Sequence, residues 1–253
     1  MNDKIDFDNH IPFYIQLMEI LKAKIDNREW KPGDRIPGEN DLCETYKISR
    51  TVVRQALKEL EIAGIVNRRK GKGTFIAPPK INEGLIQKVT GFYQDMTERG
   101  LKPMTKVLHQ KTLPCSEKVA RFLEIDPGVE IIDIQRLRFV NGEPIQLVTT
   151  YVPYDICPTL ATTDLTNQSL YEYLEKESGI FIAKSRRYIE AVPANENEAT
   201  LLEINRGMPL IMLDSISYTS DGKPMEYYHA LHRGDRSRFE VELLAFHNFD
   251  VKE

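Results

Sequence analysis

Arg50, Thr51 and Arg54 stand at i, i+1 and i+4 in the stretch SRTVVRQALKELEIAGIVNRRKGKGTFIA, and Lys70 and Lys72 follow at its glycine-rich tip. On a helix that spacing groups three side chains on the exposed N-terminal turns, where a planar guanidinium can bond a guanine edge bidentately or clamp a phosphate. Lysines beside glycines let ammonium and backbone groups come close to a sugar-phosphate chain. A second pair, Arg136 and Arg138, lies two residues apart in the extended run DIQRLRFV, so a strand puts both on one face. A buried cation needs a counter-charge. Either an internal Asp or Glu supplies it or a bound anion does, and paired guanidiniums favour phosphate or carboxylate. A third set, Glu226, Tyr228, Ala230 and His232, alternates onto one face, with Ser217 and Ser215 expected opposite Glu226 and Tyr228. A carboxylate among hydroxyl and imidazole groups suits a polyhydroxylated molecule, and a solvated sheet face is the alternative. His229 and His232 form an H-x-x-H pair, but a strand sends them to opposite faces, which argues against a metal site.

The charge of the chain is divided. Residues 1–80 hold 15 Lys+Arg against 12 Asp+Glu and residues 81–253 hold 19 against 26, so a head of +3 precedes a body of −7. Within residues 46–80 nine basic residues face only Glu59 and Glu61. Such a local excess in an acidic protein points to a polyanionic partner at one surface. Cys43, Cys115 and Cys157 are far apart and in no C-x-x-C spacing, which suggests neither a disulfide framework nor a zinc site, and no cofactor is expected. No apolar run approaches the length of a bilayer span and the N-terminus lacks a secretory pattern, so a cytoplasmic protein with no membrane partner is expected.

These residues need elements to position them. Tyr14, Leu17, Met18, Leu21 and Ile25 recur at helical spacing after Pro12, and KPGD at 31–34 ends that helix. GENDLCETY at 38–46 reads as a short second helix with an acidic first turn. Ser49 is a natural N-cap for a third, with Val53, Ala56, Leu57, Leu60 and Ala63 facing inward and Gly64 just past its end. Two β-prone runs around the basic tip complete a winged helix-turn-helix over residues 1–76. APPKIN opens a linker, taken as 77–84, and residues 85–253 form a second domain. That domain begins with a helix in GLIQKVTGFYQDMTERG and carries extended runs at 129–140, 143–153, 184–193, 209–220 and 223–234, with short helices between. The fold class is α+β, an antiparallel sheet flanked by helices.

VNGEPI at 140–145 and SDGKPM at 220–225 both place Asn-Gly or Asp-Gly before a charged residue and proline, a chemistry that favours two-residue hairpins. With Asn141-Gly142 at the turn, Val140 faces Glu143, Arg138 faces Ile145 and Arg136 faces Leu147. Both arginines then share a largely apolar face with Ile132, Ile134, Ile145, Leu147 and Thr149.

The stretch GDRIPGENDLCETYKISRTVVRQALKELEIAGIVNRRKGKGTFI resembles the N-terminal domain of the GntR family of bacterial transcription regulators, with its proline-x-glutamate, its serine-arginine-threonine and its glycine-rich wing. The resemblance implies DNA contacts by Arg35, Arg50, Thr51, Arg54, Lys70 and Gly71. Glu39, Ser49 and Lys72 belong to the same motifs and are counted with that surface. Gly38 stands where a serine is usual, which removes a capping hydroxyl, and Asn40 stands where many members have arginine. The second domain resembles the UTRA effector-binding domain of the HutC subfamily, similar in fold to chorismate lyase, through GFYQDMTERGLKP, RLRFVNGEPI, TTYVP, SLYEYLE and RGDRSRFE. That likeness implies an anionic group held by Arg136, Arg138 and Ser169 with backbone near Phe92 and Tyr93, and the rest of a ligand lined by Tyr171, Glu226 and His232. Many relatives carry tyrosine at position 232, and some amino-sugar-phosphate binders carry glutamate at 148, where this chain has Val148.

The expected function is a ligand-responsive DNA-binding regulator: a homodimeric repressor on near-palindromic double-stranded DNA, released by an anionic metabolite such as a sugar phosphate. An enzyme acting on a sugar phosphate or aromatic acid is a rival, although no nucleophile-base pair or metal set is visible. A constitutive DNA-binding protein whose second domain only dimerises is another.

Overall fold

The computed structural model describes residues 3–69, 71–84 and 91–242. The head packs α1 (Phe13–Asp26), α2 (Glu39–Tyr46) and α3 (Arg50–Ile62) around Leu17, Leu21, Leu42, Val53, Ala56, Leu57 and Leu60, all buried. Ser49 caps α3 by accepting from the Val52 amide at 3.4 Å. At α2 the missing hydroxyl of Gly38 leaves only the reciprocal half of a capping box, the Gly38 amide donating to Asp41 at 3.0 Å. The wing follows as β1 (Val66–Arg69) and β2 (Gly73–Ile76), antiparallel from Val66↔Ile76 to Arg69↔Gly73. Between α3 and the wing the chain turns at Gly64, whose φ is +72° and whose amide donates to Glu61 O. A Cβ there would lie 2.2 Å from the carbonyl oxygen of Asp235, so only glycine allows this end of α3 so close to the second domain.

The second domain is built from β3 (Ile81–Glu83), α4 (Phe92–Glu98), β4 (Pro103–Pro114), α5 (Glu117–Leu123), β5 (Glu130–Val140), β6 (Glu143–Pro153), α6 (Leu170–Ser178), β7 (Lys184–Pro193), α7 (Glu196–Leu201), β8 (Pro209–Tyr218), β9 (Pro224–Arg233) and β10 (Ser237–Phe239). Six strands form one antiparallel sheet in the order β4-β5-β6-β9-β8-β7. One face carries Ile132, Ile134 and Val152, which pack against Leu170 and Leu174 of α6. On the other face α7 covers Leu137, Leu147 and Leu231, and α5 covers Ile131 and Tyr227.

Three features depart from the sequence expectation. β4 is a twelve-residue edge strand that the pattern did not announce, because Lys106, His109, Gln110 and Lys111 break its apolar alternation. The β5–β6 hairpin turns at Asn141-Gly142 with Val140 opposite Glu143, but its register shifts between Arg138 and Phe139. Phe139 pairs with Pro144, Arg138 with Gln146 and Arg136 with Val148, so Ile145 is the extra residue of a bulge. The arginines therefore share their face with Gln146, Val148 and Thr150, and Leu147 points to the opposite core. Finally, the linker is ordered: β3 pairs in parallel with β10, with Ser237↔Ile81 and Phe239↔Glu83 in register.

Candidate functional sites

The first candidate surface is on the head. Arg50, Thr51 and Arg54 occupy the first turns of α3 and are exposed, as are Arg35, Gly71 and Lys72; Lys70 lies outside the described residues. Their geometry is organised by Glu39. Its carboxylate lies 3.4 Å from Arg50 Nε, 3.7 Å from Arg54 Nε and 2.6 Å from Arg68 Nη2, which brings α2, α3 and the wing to one point. Glu39 thus pairs with three arginines of this surface at once, while its own charge disfavours phosphate. Each of these exposed pairs contributes no more than about 1 kcal/mol, so an arriving polyanion can take the guanidiniums over. Arg69, which the motif comparison did not single out, stacks its guanidinium 4.8 Å above the Phe75 ring, and Arg35 bridges to Phe75 through its backbone. Ser49 serves the surface from beneath as the cap of α3.

The second is a cleft between the sheet and the helices above it. Phe92, Tyr93, Arg136, Arg138, Ser169, Tyr171 and Glu226 all line it, joined by Gly91, Thr105, Gln168, Arg187, Ser215 and Tyr228. Arg136 is 2% exposed and donates to Thr150 Oγ1 at 3.1 Å. Arg138 donates to Gln146 Oε1 at 3.0 Å and lies 4.8 Å from the centre of the Phe92 ring. No Asp or Glu forms an ion pair with either arginine among the described residues, although the same domain pairs Arg233 with Asp235 at 2.6 Å. Burial, then the like charge of Arg138, pulls the Arg136 pKa down to about 9, which leaves it protonated at neutral pH.

Across the cleft Glu226 is fully buried, accepting from Ser217 Oγ at 2.9 Å and from Tyr171 at 3.0 Å. Burial raises its carboxyl above the usual range, and the two hydroxyls and the arginine charges offset this only in part. Arg136 Nε, Arg138 Nε, Arg187 Nε, Ser215 Oγ and Glu226 Oε1 are all buried without a hydrogen-bond partner. Leaving such atoms unpaired costs about 1–3 kcal/mol each, and their convergence on one cleft is what a polar, anionic ligand would relieve. Ser169 Oγ caps α6 at the rim, close enough to Gly91 that a Cβ there would meet it at 2.8 Å.

His232 is not in this cleft. It is fully buried behind Gln146, with Nδ1 on Glu83. His229 points the other way, to Asp214 at 2.6 Å. The paired serines stand as the hairpin chemistry expects, Ser217↔Glu226 and Ser215↔Tyr228. Arg187 escaped the sequence reading because β7 alternates without a buried side. Tyr228 and Ser215 were visible on the correct face but could not be assigned to a cavity without the helices that close it. Among the described residues no group of His, Cys, Asp and Glu could hold a metal ion, and no helix is long and apolar enough to cross a membrane.

Comparison with known proteins identifies both domains. Residues 13–76 match the bacterial regulatory proteins of the gntR family and residues 98–238 match the UTRA domain. The HTH-type transcriptional repressor NagR of Bacillus subtilis is 32% identical over 93% of this chain and 96% of its own length. The histidine utilization repressor of Pseudomonas putida is 29% identical over 90% of this chain and 91% of its own. The crystal structure of PhnF from Mycobacterium smegmatis superposes with a TM-score of 0.64 at 29% identity, covering 90% of this chain and 99% of that one. The chain belongs to the GntR family of transcription regulators, in the HutC group that joins a gntR head to a UTRA domain.

Proposed function

We propose that this GntR–UTRA regulator is a repressor that leaves its operator when an anionic metabolite, most simply a phosphorylated sugar, enters the cleft. The observation that carries the reading is the set of buried guanidiniums with unbonded nitrogens and, among the described residues, no ion pair to a carboxylate. Arg136 and Arg138 would hold the anion, helped by Ser169 and by the first amides of α4 at Phe92 and Tyr93, which no side chain caps. Glu226, Tyr171 and Ser215 would meet hydroxyls. Among the described residues the one carboxylate lining the cleft, Glu226, is engaged by Ser217 and Tyr171.

On the DNA side, Arg50, Thr51 and Arg54 would read base edges, with Arg35, Gly71, Lys70 and Lys72 holding backbone. One head offers a single reading helix, so useful specificity requires two, and a homodimer on a near-palindromic double-stranded site supplies them. Ligand would act by binding one arrangement of the heads better than another.

The test is anisotropy of a labelled operator duplex titrated with hexose phosphates, the matching free hexoses and inorganic phosphate. Release by a phosphorylated sugar, with little or no effect of the free sugar, is the expected result. A protein indifferent to every phosphorylated compound, or released equally by neutral sugars, would overturn the anion reading.

A further inference from the structure

His232 stands where the family comparison expects a ligand contact, yet it joins the cleft to the linker. Arg138 can only donate, so the Gln146 oxygen must face it, at 3.0 Å. That fixes the Gln146 amide nitrogen toward Tyr228 Oη and toward His232 Nε2, the latter at 3.0 Å. Nε2 therefore accepts, and the ring proton on Nδ1 is given to Glu83, 3.0 to 3.1 Å away. All three interior members of this chain, Gln146, His232 and Glu83, are completely buried. Every donor along it points from the arginine to the carboxylate.

The far end is the linker strand. Glu83 is the last residue of β3, and its register partner in β10 is Phe239. The His232 ring meets Phe239 edge-on at 5.0 Å, so one imidazole touches both strands of the β3–β10 pair. That pair is also clasped from the side facing the head. Arg236 donates to the carbonyls of Pro78 and Pro79 at 2.8 and 3.3 Å, and Lys80 donates to Gly234 O at 2.6 Å. Asp235, one residue further back, is the backbone against which Gly64 at the end of α3 rests. Burial alone would raise the Glu83 carboxyl, but the His232 ring, the Ser237 hydroxyl beside it and the charge of Arg138 hold it below the usual range.

We propose that Gln146, His232 and Glu83 form a positioning relay through which the charge at Arg138 sets how firmly the linker strand β3 is held to β10. The proposal rests on the reading of the cleft as an anion site. An anion on Arg138 competes for its donors and cancels the positive charge that faces Glu83, so the hold on the linker to the DNA-reading head weakens. His232 acts through its neighbours and is no part of the ligand's first contacts.

The relay is tested without ligand, by hydrogen exchange of the full chain in a double-mutant cycle of Arg138→Gln and Glu83→Gln. In the wild-type background, Arg138→Gln is expected to change exchange of the amides in 80–84 and 235–240 by roughly twofold to a hundredfold, the span produced by interacting neighbours. In the Glu83→Gln background the same substitution is expected to change them little. Amides of α1 (Phe13–Asp26) in the head core, remote from the relay, should exchange alike in all four proteins, which a merely structural role would not allow. Additive effects, or linker amides blind to Arg138→Gln, would overturn the relay. Should Glu83→Gln fail to fold, Gln146→Met breaks the chain at its centre and closes the same cycle. Calorimetry with inorganic phosphate on the wild-type protein judges the anion reading separately, so the two can fail independently.

Discussion

The head and the cleft both gather arginines, under opposite conditions. In the head, Arg50, Arg54 and Arg68 keep 66%, 64% and 33% of their side chains in solvent and share the Glu39 carboxylate. In the cleft, Arg136 and Arg138 are 2% and 7% exposed and, among the described residues, form no ion pair with a carboxylate. Water and one acid neutralise the first group cheaply, so its guanidiniums stay available for a large partner that brings its own charge. The second group has lost its water and gained nothing ionic in return, a state stable only because Thr150, Gln146 and the Phe92 ring take up part of the deficit. One surface is poised to exchange a weak partner for a strong one; the other waits for a partner.

The sharpest way to break this contrast is Arg138→Ala. If the arginine serves a ligand, its removal should weaken binding of a phosphorylated effector by about 10- to 100-fold, the equivalent of one charge-assisted hydrogen bond. Ligand-free operator binding should weaken at most modestly, as loss of the Arg138 charge loosens the β3–β10 linker, and it should no longer respond to the effector. The melting temperature should fall only slightly, because relief of the like charge beside Arg136 offsets part of the hydrogen bond lost by Gln146 Oε1. A variant that melts far lower while binding the effector normally would make the arginine structural.

On the head, Arg54→Ala is expected to cost about 1–3 kcal/mol on the specific duplex and far less on a random one, since a base contact discriminates where a phosphate contact does not. Competition between the two duplexes measures it. Equal losses on both would move Arg54 to the backbone-holding group. Glu39→Gln sharpens the same comparison: with the shared acid gone, the freed arginines should bind every duplex more tightly at low salt.

How much of this was open to a reader of the sequence follows the same division. The head was legible because its information is local: Ser49 capping α3, Val53 to Leu60 turning inward, and Gly64 ending the helix are each set within four residues. The cleft residues were legible as types and faces, because Ser217 pairs with Glu226 as a two-residue Asp-Gly turn predicts, even though the loop is longer and the register shifts between Ser217 and Tyr218. At the Asn-Gly hairpin the bulge at Ile145 moved the partners of Arg136 and Arg138 by one residue, and nothing in the turn itself announces a bulge. Arg187 and His232 depended on long-range pairing: the first reaches the cleft from a strand with no buried face, and the second meets Glu83 from 149 residues away. Alternation could place His232 on a face but not decide whether a ligand or the linker occupies it.

A smaller effect is expected at the wing. Lys72→Ala should weaken specific and random duplexes alike by a few fold and reduce the salt slope of binding by about one unit, as loss of one phosphate contact does. A salt series on both duplexes reads this directly, and a loss confined to the specific duplex would assign Lys72 to base readout.

The smallest effect separates the two ends of the cleft. Glu226 is buried with its carboxyl raised, so the folded protein binds that proton more tightly than the unfolded chain does. Stability is then lost as pH rises from the unfolded carboxyl range, near 4.3, through the raised folded value, and the cost is fully present at neutral pH. Glu226→Gln removes the titration and keeps the shape. Its amide oxygen can still accept from Tyr171 and Ser217, and its nitrogen takes the place of the unpaired Oε1. The variant should therefore melt higher than the wild type at pH 7, with the difference closing as pH approaches 4. A hydroxylated ligand that needs a carboxylate acceptor should bind it more weakly, whereas inorganic phosphate, held at the arginine end, should bind as before. Melting curves of the two proteins between pH 4 and 8 measure the first effect, and a difference that stays constant across that range would mean that Glu226 does not titrate with folding.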